Sequence, residues 1–492
     1  HLFAMLRKVS VLCFVALFAA TLYAAEGAVR ATINGGQSVN YPHYWEGCVG
    51  SGHAALGLRQ DWREQLVAAR EKLGFQRVRF HGIFDDDMSV YSEDATGKPV
   101  YSFFNVDQHY DFLQSIGMQP LVELSFMPEL LASHANETIF HYKGGISPPA
   151  NYAKWSRFIS AFAQHLVDRY GIAEVSNWFF EVWNEPNCGF WTGSQQEYFH
   201  LLYVTYNAIK SVDQRLQVGG PATCQLQWIP ETIKFAQANG LQLDFISTHI
   251  YPTDFGDQNV SRTVMQDKLA IAHQQAQGIP LYVTEFNSGL YCCLHDTPFA
   301  SAFLISQLPK LAKDVELLSY WTFSDIFEEW PFKSAPFQSG FGLQTIYGIP
   351  KPAFRAYELL HRTGTSRFTV DFTVSSHTVD IFATTNTTHI QVLIANFNTP
   401  GNTIVTESIH LNIVGTRATS GIIERIDEHH ANPQATWIAQ GSPMYPTKQQ
   451  IAEQMTASEL VALPIHINPN TKLWEFHIPP SGVVSITLPV VH

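Results

Sequence analysis

The sequence predicts an α/β protein: a (β/α)8 barrel of the TIM type followed by a C-terminal antiparallel β-sandwich. Three observations carry this. Short apolar runs alternate with segments of helical period eight times through residues 28–364, which is the count of a closed barrel. From residue 365 the period drops to two, with Thr, Asn and Gly turns, as antiparallel sheet requires. At 492 residues the chain is also too long for one ordinary core, so a large barrel with a smaller domain is the natural division.

The elements follow in order. Residues 28–33 read as a strand, and 28–40 is a candidate to pair with the sandwich. Residues 41–50 lead into Gly50-Ser51-Gly52-His53. Trp62, Leu66, Ala69 and Leu73, spaced four, three and four, predict a helix stopped by Gly74. A strand over 77–80 ends at His81. A helix over 105–116 precedes a strand over 120–124. Trp155, Phe158, Ile159, Phe162 and Leu166 mark the next helix, ahead of a strand over 178–182. Helix 198–212, strand 217–220, helix 230–238 and strand 245–250 continue the rhythm. Residues 262–277 lead to a strand over 280–283. Helix 299–313, strand 317–322 and helix 353–361 close the barrel. In the sandwich, Phe368, Val370, Phe372 and Val374, then Ile390, Val392 and Ile394, then Ile409, Leu411 and Ile413, alternate as strands. Residues 480–488 read as a last strand and 447–457 as an inserted helix. No internal repeat is evident.

Catalytic residues of such barrels sit where strands end. His53, His81, Glu185, His249, Tyr251, Glu285 and Trp321 all lie at or just past predicted strand ends. A single histidine or loop glutamate is ordinarily structural or solvated. Their gathering at the barrel mouth is what gives them a common role. Glu185, in Trp183-Asn184-Glu185-Pro186-Asn187, and Glu285, in Val283-Thr284-Glu285-Phe286-Asn287, supply the pair of carboxyl groups that glycosidic bond cleavage needs. One protonates the leaving oxygen while the other attacks or assists attack at the anomeric carbon. Pro186 is expected to hold Glu185 in extended geometry. The chemistry asks Asn184 for a hydrogen bond to the sugar 2-hydroxyl.

Composition narrows the partner. With 30 basic and 43 acidic residues the net charge is -13, and no basic run is present, which argues against nucleic acid and anionic membrane. The 11 Trp, 19 Tyr and 34 Phe favour a cleft where rings stack on sugars. Residues 1–4 precede Met5; Arg7-Lys8, the apolar run 9–23 and small residues to Gly27 have the form of a secretory leader, too short to span a bilayer. Residues 1–27 are therefore assigned to a leader, 28–364 to the barrel and 365–492 to the sandwich, with a secreted or extracytoplasmic location, lysosomal in a eukaryotic host. Three sequons, at Asn136, Asn259 and Asn386, agree with secretion. Beyond Cys13, the cysteines are Cys48, Cys188, Cys224, Cys292 and Cys293, so at least one stays unpaired within one chain, and no Cys-x-x-Cys metal signature occurs.

Taken together, several stretches resemble glycoside hydrolase family 39, the β-xylosidase and α-L-iduronidase family. They are Gly50 through Met88 with Arg79-Phe80-His81-Gly82, Trp183 through Asn187, Thr248-His249-Ile250-Tyr251-Pro252, Thr284-Glu285-Phe286, Tyr320 through Glu329, and Gly340-Phe341-Gly342-Leu343. The resemblance implies a retaining hydrolase with Glu185 as acid/base and Glu285 as nucleophile on the fourth and seventh strands. It also implies a sugar subsite lined by His53, His81, His249 and Tyr251, floored by Trp321, with Glu329 accepting from a distal hydroxyl and Asp325 and Glu328 behind. No metal or cofactor is implied. Residues 321–338 contain Lys333 as their one cation, whereas a uronate asks for a fixed cationic partner, so the xylosidase branch is favoured over the iduronidase branch. An inactive sugar-binding barrel would have lost one carboxylate, and both are present.

Overall fold

The computed structural model describes residues 27–254, 260–290, 294–329, 336–414 and 416–490. The leader up to Glu26, Asn259, Cys292, Cys293 and Lys333 lie outside the described residues. Eight strands close a parallel barrel in chain order: Cys48–His53, Arg77–His81, Gln119–Glu123, Phe179–Glu181, Gln217–Thr223, Phe245–Ile250, Leu281–Phe286 and Leu317–Tyr320. The last pairs in parallel with the first through Tyr320 and Val49. Strand seven runs on to Phe286, so Glu285 lies within it rather than past its end.

The helices return each strand to the barrel for local reasons. Tyr152–Tyr170 begins where the Asn151 side chain accepts from the amides of Ala153 and Lys154, and it buries Trp155, Phe158, Ile159, Phe162 and Leu166 along one face. Gln195–Val212 starts with a reciprocal capping box between Ser194 and Glu197. Gln60–Leu73 ends at Gly74 with φ 77°, a left-handed cap that favours glycine.

The period of two within each strand sorts side chains by depth. Leu121, Phe179 and Phe245 join Cys48, Leu317 and Tyr282 in one apolar cluster that plugs the barrel floor. Two residues further along the first three of those strands come Glu123, Glu181 and Ser247, all buried. The barrel interior thus changes from apolar to polar within one layer, toward the end where the strands finish.

Two small hairpins, Tyr91–Glu93 with Pro99–Tyr101 and Thr138–Ile139 with Gly144–Gly145, extend the loops after strands two and three. They are too short to carry a periodic signal, and the sequence reading leaves them out.

The other long strands form one nine-stranded sheet. Its order is Leu463–His466, Ser420–Ile426, Val483–Pro489, His389–Asn396, Val379–Thr385, Ser366–Val374, Val29–Asn40, Glu407–Val414 and Trp474–Ile478. Val29–Asn40 pairs antiparallel with Ser366–Val374 and parallel with Glu407–Val414. Strands from distant places in this order share one core that includes Ile33, Val392, Ile394, Trp474 and Ile486, so the sheet folds over on itself. The alternate residues Leu393 and Ala395 face the other way, into the barrel's core, with Phe397 against Phe299 and Phe303. The inserted helix Lys448–Ala457, capped by Thr447 and Gln450, packs beside a second short helix, Pro433–Ala439. Among the described residues no helix is long and apolar enough to cross a membrane.

Candidate active site

The loop after strand four presents Glu185 in a constrained backbone. Trp183 has φ 74° and Glu185 φ 40°, so Glu185 occupies the left-handed region and not the extended geometry that Pro186 by itself favours. Tertiary bonds explain the difference. The Glu185 amide donates to Ala222 O at 2.8 Å, its carbonyl accepts from the Cys188 amide at 2.9 Å, and the Trp183 indole donates to Phe190 O at 2.7 Å. Asn187 accepts from the Cys224 amide at 3.0 Å and donates to the Cys224 carbonyl at 3.2 Å. A disulfide joins Cys188 to Cys224. The loop carrying Glu185 is therefore fastened to the end of strand five, against a backbone strain of about 1–3 kcal/mol for each left-handed residue. Cys48 is buried and unpaired among the described residues.

Glu285 meets a different set of neighbours. Tyr251 donates its hydroxyl to Oε1, and Arg79 Nη1 donates to Oε2 at 3.3 Å. Glu185 Oε1 lies 2.8 Å from His249 Nδ1, which is itself 3.7 Å from Glu285 Oε2. One ligand atom from each of Glu185, His249 and Glu285 lies within 4.8 Å of the others. An oxygen of one carboxyl group thus stands near an oxygen of the other, and it is the separation of such a pair that distinguishes direct attack on a sugar from attack through a water. A divalent cation could also be held by these three groups, and would block both carboxylates.

Arg79, fully buried, is the hub of the site. Its Nε donates to Glu181 Oε2 at 2.6 Å and its Nη2 to Asn184 Oδ1 at 2.8 Å, and Nη2 also lies 2.8 Å from Glu123 Oε2. With Oδ1 committed to Arg79, Asn184 keeps Nδ2 as a buried donor with no partner among the described residues; His53 Nδ1 and His249 Nε2 are in the same condition. Buried polar atoms left this way are the ones a sugar's hydroxyl groups could satisfy.

Two residues along from Arg79 on the same face of its strand, His81 bonds Glu123 Oε2 at 2.7 Å through Nδ1 and lies 3.8 Å from Glu329 Oε2 through Nε2. Tyr142 donates to Glu329 Oε1 at 3.0 Å and stacks on His53, with ring centroids 3.9 Å apart. His53 Nε2 is 3.1 Å from Asp87. Trp321 packs with Tyr251, Phe327 and Phe341, and its ring centroid lies 4.8 Å from that of His81. All of the substrate-binding candidates are thus gathered at one mouth.

Asp325 and Glu328 turn elsewhere. Asp325 pairs with Lys351, which also holds Asp296, and accepts from the Gly342 amide. Glu328 forms an ion pair with Arg59 at 2.7 Å, away from the two catalytic candidates.

Burial and neighbours set the proton positions. Burial pushes the Glu185 carboxyl up to about 7. Burial raises Glu285 too, and the nearby Glu185 adds to that, while His249, Arg79 and His81 oppose it. Since Tyr251 and Arg79 both donate to Glu285, its ionised form is the one the site accommodates, and the shared proton belongs on Glu185. Burial pushes His249 down to about 4, leaving a neutral imidazole beside Glu185. For His81 burial works against charge, but Glu123 and Glu329 prevail and raise it to about 9. Burial raises Glu329 to about 8.

Sequence reasoning missed the roles of Arg79, Glu123, Glu181 and Tyr142. The first three carried a usable signal, because a charge inside an apolar barrel strand must face the interior or a partner. Tyr142 arrives on a short hairpin with no local pattern.

Residues 34–466 match the model of Glycosyl hydrolases family 39. The chain is 43% identical over 481 residues to a beta-xylosidase of Caldicellulosiruptor saccharolyticus, covering 94% of this chain and 98% of that one. It is 33% identical over 434 residues to a beta-xylosidase of Geobacillus stearothermophilus, covering 83% and 84%. Its fold matches a crystal structure of a monomeric beta-xylosidase from Caulobacter crescentus with a TM-score of 0.85 at 29% identity, covering 94% and 100%. With the match running through the barrel and most of the folded sheet, the chain belongs to glycosyl hydrolases family 39.

Proposed function

We propose that this protein is a secreted, retaining β-xylosidase that works by double displacement. The observation that carries the reading is the placement of two carboxyl groups within 4.8 Å of each other in unlike surroundings. Glu285 Oε attacks the anomeric carbon as Glu185 gives its proton to the departing oxygen. Glu185, now a carboxylate, then takes a proton from water, the water oxygen bonds to the anomeric carbon, and Glu285 leaves. Asn184 Nδ2 is the donor for the sugar 2-hydroxyl, Trp321 the stacking floor, and the His81, Tyr142 and Glu329 group the partner of distal hydroxyls.

Xylose as the glycone is supported by the names of the two relatives above and by the state of the site's cations. A uronate needs a cationic group free to pair with it. Arg79 is already engaged by Glu123, Glu181 and Glu285, and His81 by Glu123 and Glu329. A buried carboxylate left unpaired costs several kcal/mol. An α-iduronide is accordingly expected to be a poor substrate beside a β-xyloside. Export is supported by the leader-like residues 5–27 and by the Cys188–Cys224 disulfide, which oxidising compartments favour.

Azide rescue tests the mechanism and the roles together. Glu185→Ala should accumulate glycosyl-enzyme on an activated aryl xyloside, and azide should rescue it to give the β-azide with retention. Glu285→Ala should lose activity on every substrate and, with azide, give the inverted α-azide. Exchange of the two products would reverse the roles, and inversion by the wild type would remove the double displacement.

A further inference from the structure

At the opposite end of the barrel from the active site, three side chains from separate parts of the chain converge. His43 lies on the link from Val29–Asn40 to the barrel, Glu46 on the short turn Tyr44–Glu46 just before strand one, and His361 at the end of the barrel's last helix, Pro352–His361. Glu46 Oε1 is 2.8 Å from His43 Nδ1 and 2.9 Å from His361 Nδ1, and the three donor atoms all lie within 4.8 Å of one another. None of them serves the hydrolytic site.

The hydrogen bonds around His43 constrain its proton. Thr363 donates its hydroxyl to Leu360 O at 2.6 Å, so its oxygen is an acceptor for His43 Nε2, 3.0 Å away. With Nε2 donating to Thr363, the ring turns Nδ1 toward Glu46 Oε1. The same oxygen faces His361 Nδ1, so two ring nitrogens and a carboxylate oxygen from separate segments converge on one point. A divalent cation would take all three as ligands.

Further features fit the metal. An imidazole whose far nitrogen donates to a fixed oxygen is the usual arrangement of a metal-bound histidine. The His43 ring is held against Trp45 at a centroid distance of 4.8 Å. The His361 side chain is 38% exposed, which leaves a path for the ion and a position for water. A Cβ on Gly74 would collide with His361 Nδ1 and lie 2.7 Å from Glu46 Oε2, so glycine there keeps the space open.

We propose that His43, Glu46 and His361 form a site for a divalent transition ion of the zinc class, which fastens the first and last elements of the barrel. Two imidazoles and a carboxylate, with water as fourth ligand, are a donor set that zinc accepts. Donors about 2.0–2.1 Å from zinc stand roughly 3.3 Å apart in a tetrahedron, so the rings must retreat by about half an ångström.

Chelator-treated full-length protein would be titrated with Co2+, read by its visible d–d bands, and with Zn2+, read by Tm. The expected result is a saturable Co2+ spectrum displaced by Zn2+ and a saturable rise in Tm with Zn2+. His361→Ala and, separately, Glu46→Gln should each lose both responses while keeping the metal-free wild type's activity on an aryl β-xyloside. Absence of either response in the wild type, or the same responses in folded His361→Ala and Glu46→Gln, would overturn the proposal. The second pattern would place the ion elsewhere, with Glu185, His249 and Glu285 as the alternative, where it should inhibit. Since hydrolysis is measured on metal-free protein, failure of the metal site leaves the glycosidase reading separately testable.

Discussion

Tyr251→Phe removes one oxygen and leaves the ring packed with Trp321 and Phe327. What it takes away is the hydroxyl that donates to Glu285 Oε1, leaving Arg79 Nη1 at 3.3 Å as the other donor to that carboxylate. A hydrogen bond to a charged group contributes about 1.5–3 kcal/mol. At about 1.36 kcal/mol per pKa unit, its loss should raise the apparent pKa governing the nucleophile by about 1–2 units. The sign follows from the roles. Glu285 must be ionised, so activity is lost as pH falls through its pKa; Glu185 must be protonated, so activity is lost as pH rises through about 7. Raising the acid limb toward the alkaline one narrows the bell and lowers its maximum, and the two limbs report the pair rather than either residue alone. The assay is kcat/KM for an aryl β-xyloside against pH, in wild type and variant. A variant that is slower with its acid limb unmoved would show that Tyr251 does not hold the nucleophile's charge.

Other perturbations separate the parts of the site. Arg79→Met strands three buried carboxylates and should cost about 3–5 kcal/mol in denaturant unfolding; Arg79→Lys should recover little of this, since a lysine lacks the fork that reaches Glu181, Asn184 and Glu285 together. Removing the disulfide with Cys188→Ser and Cys224→Ser should loosen the acid/base loop and slow poor leaving groups on the order of 10-fold more than an activated aryl group; equal slowing of both would mean the loop is held without it. Tyr142→Phe deletes the donor to Glu329 and should lower kcat/KM about 10-fold, read from steady-state kinetics on an aryl β-xyloside.

The sequence was most informative where chemistry and periodicity coincide. Glu185 and Glu285 sit in short motifs at the ends of strands, and the barrel mouth brings them together because parallel strands all end on one side. It was less informative where tertiary bonds override a local rule. Pro186 favours an extended Glu185, but Ala222, Cys188 and the disulfide from Cys188 to Cys224 hold it left-handed, and strand five is not visible from strand four in a linear reading. Asp325 shows a second limit. It lies in the same motif as Trp321, but its partner Lys351 comes from the segment before the last helix, so proximity in sequence to the site did not mean contact with it.

The charges at the mouth also bear on why the site suits the reaction proposed for it. Glu123, Glu181, Glu185, Glu285 and Glu329 crowd around two cations, Arg79 and His81. Were all five acids ionised, the desolvation cost of the unmatched charge would be prohibitive in a buried space. Burial instead lifts Glu185 to about 7 and Glu329 to about 8, and both keep their protons below those values. Glu123, Glu181 and Glu285 are the acids that pair with Arg79, and of these Glu285 is the one next to the reacting carbon. The transition state of glycoside cleavage is oxocarbenium-like and brings positive charge to that carbon. Electrostatic stabilisation is strongest where the complementary charge is already in place before the reaction begins. The Glu285 carboxylate thus faces the positive charge as it grows on the sugar, while the net charge of site and sugar together stays constant as the Glu185 proton passes to the leaving oxygen.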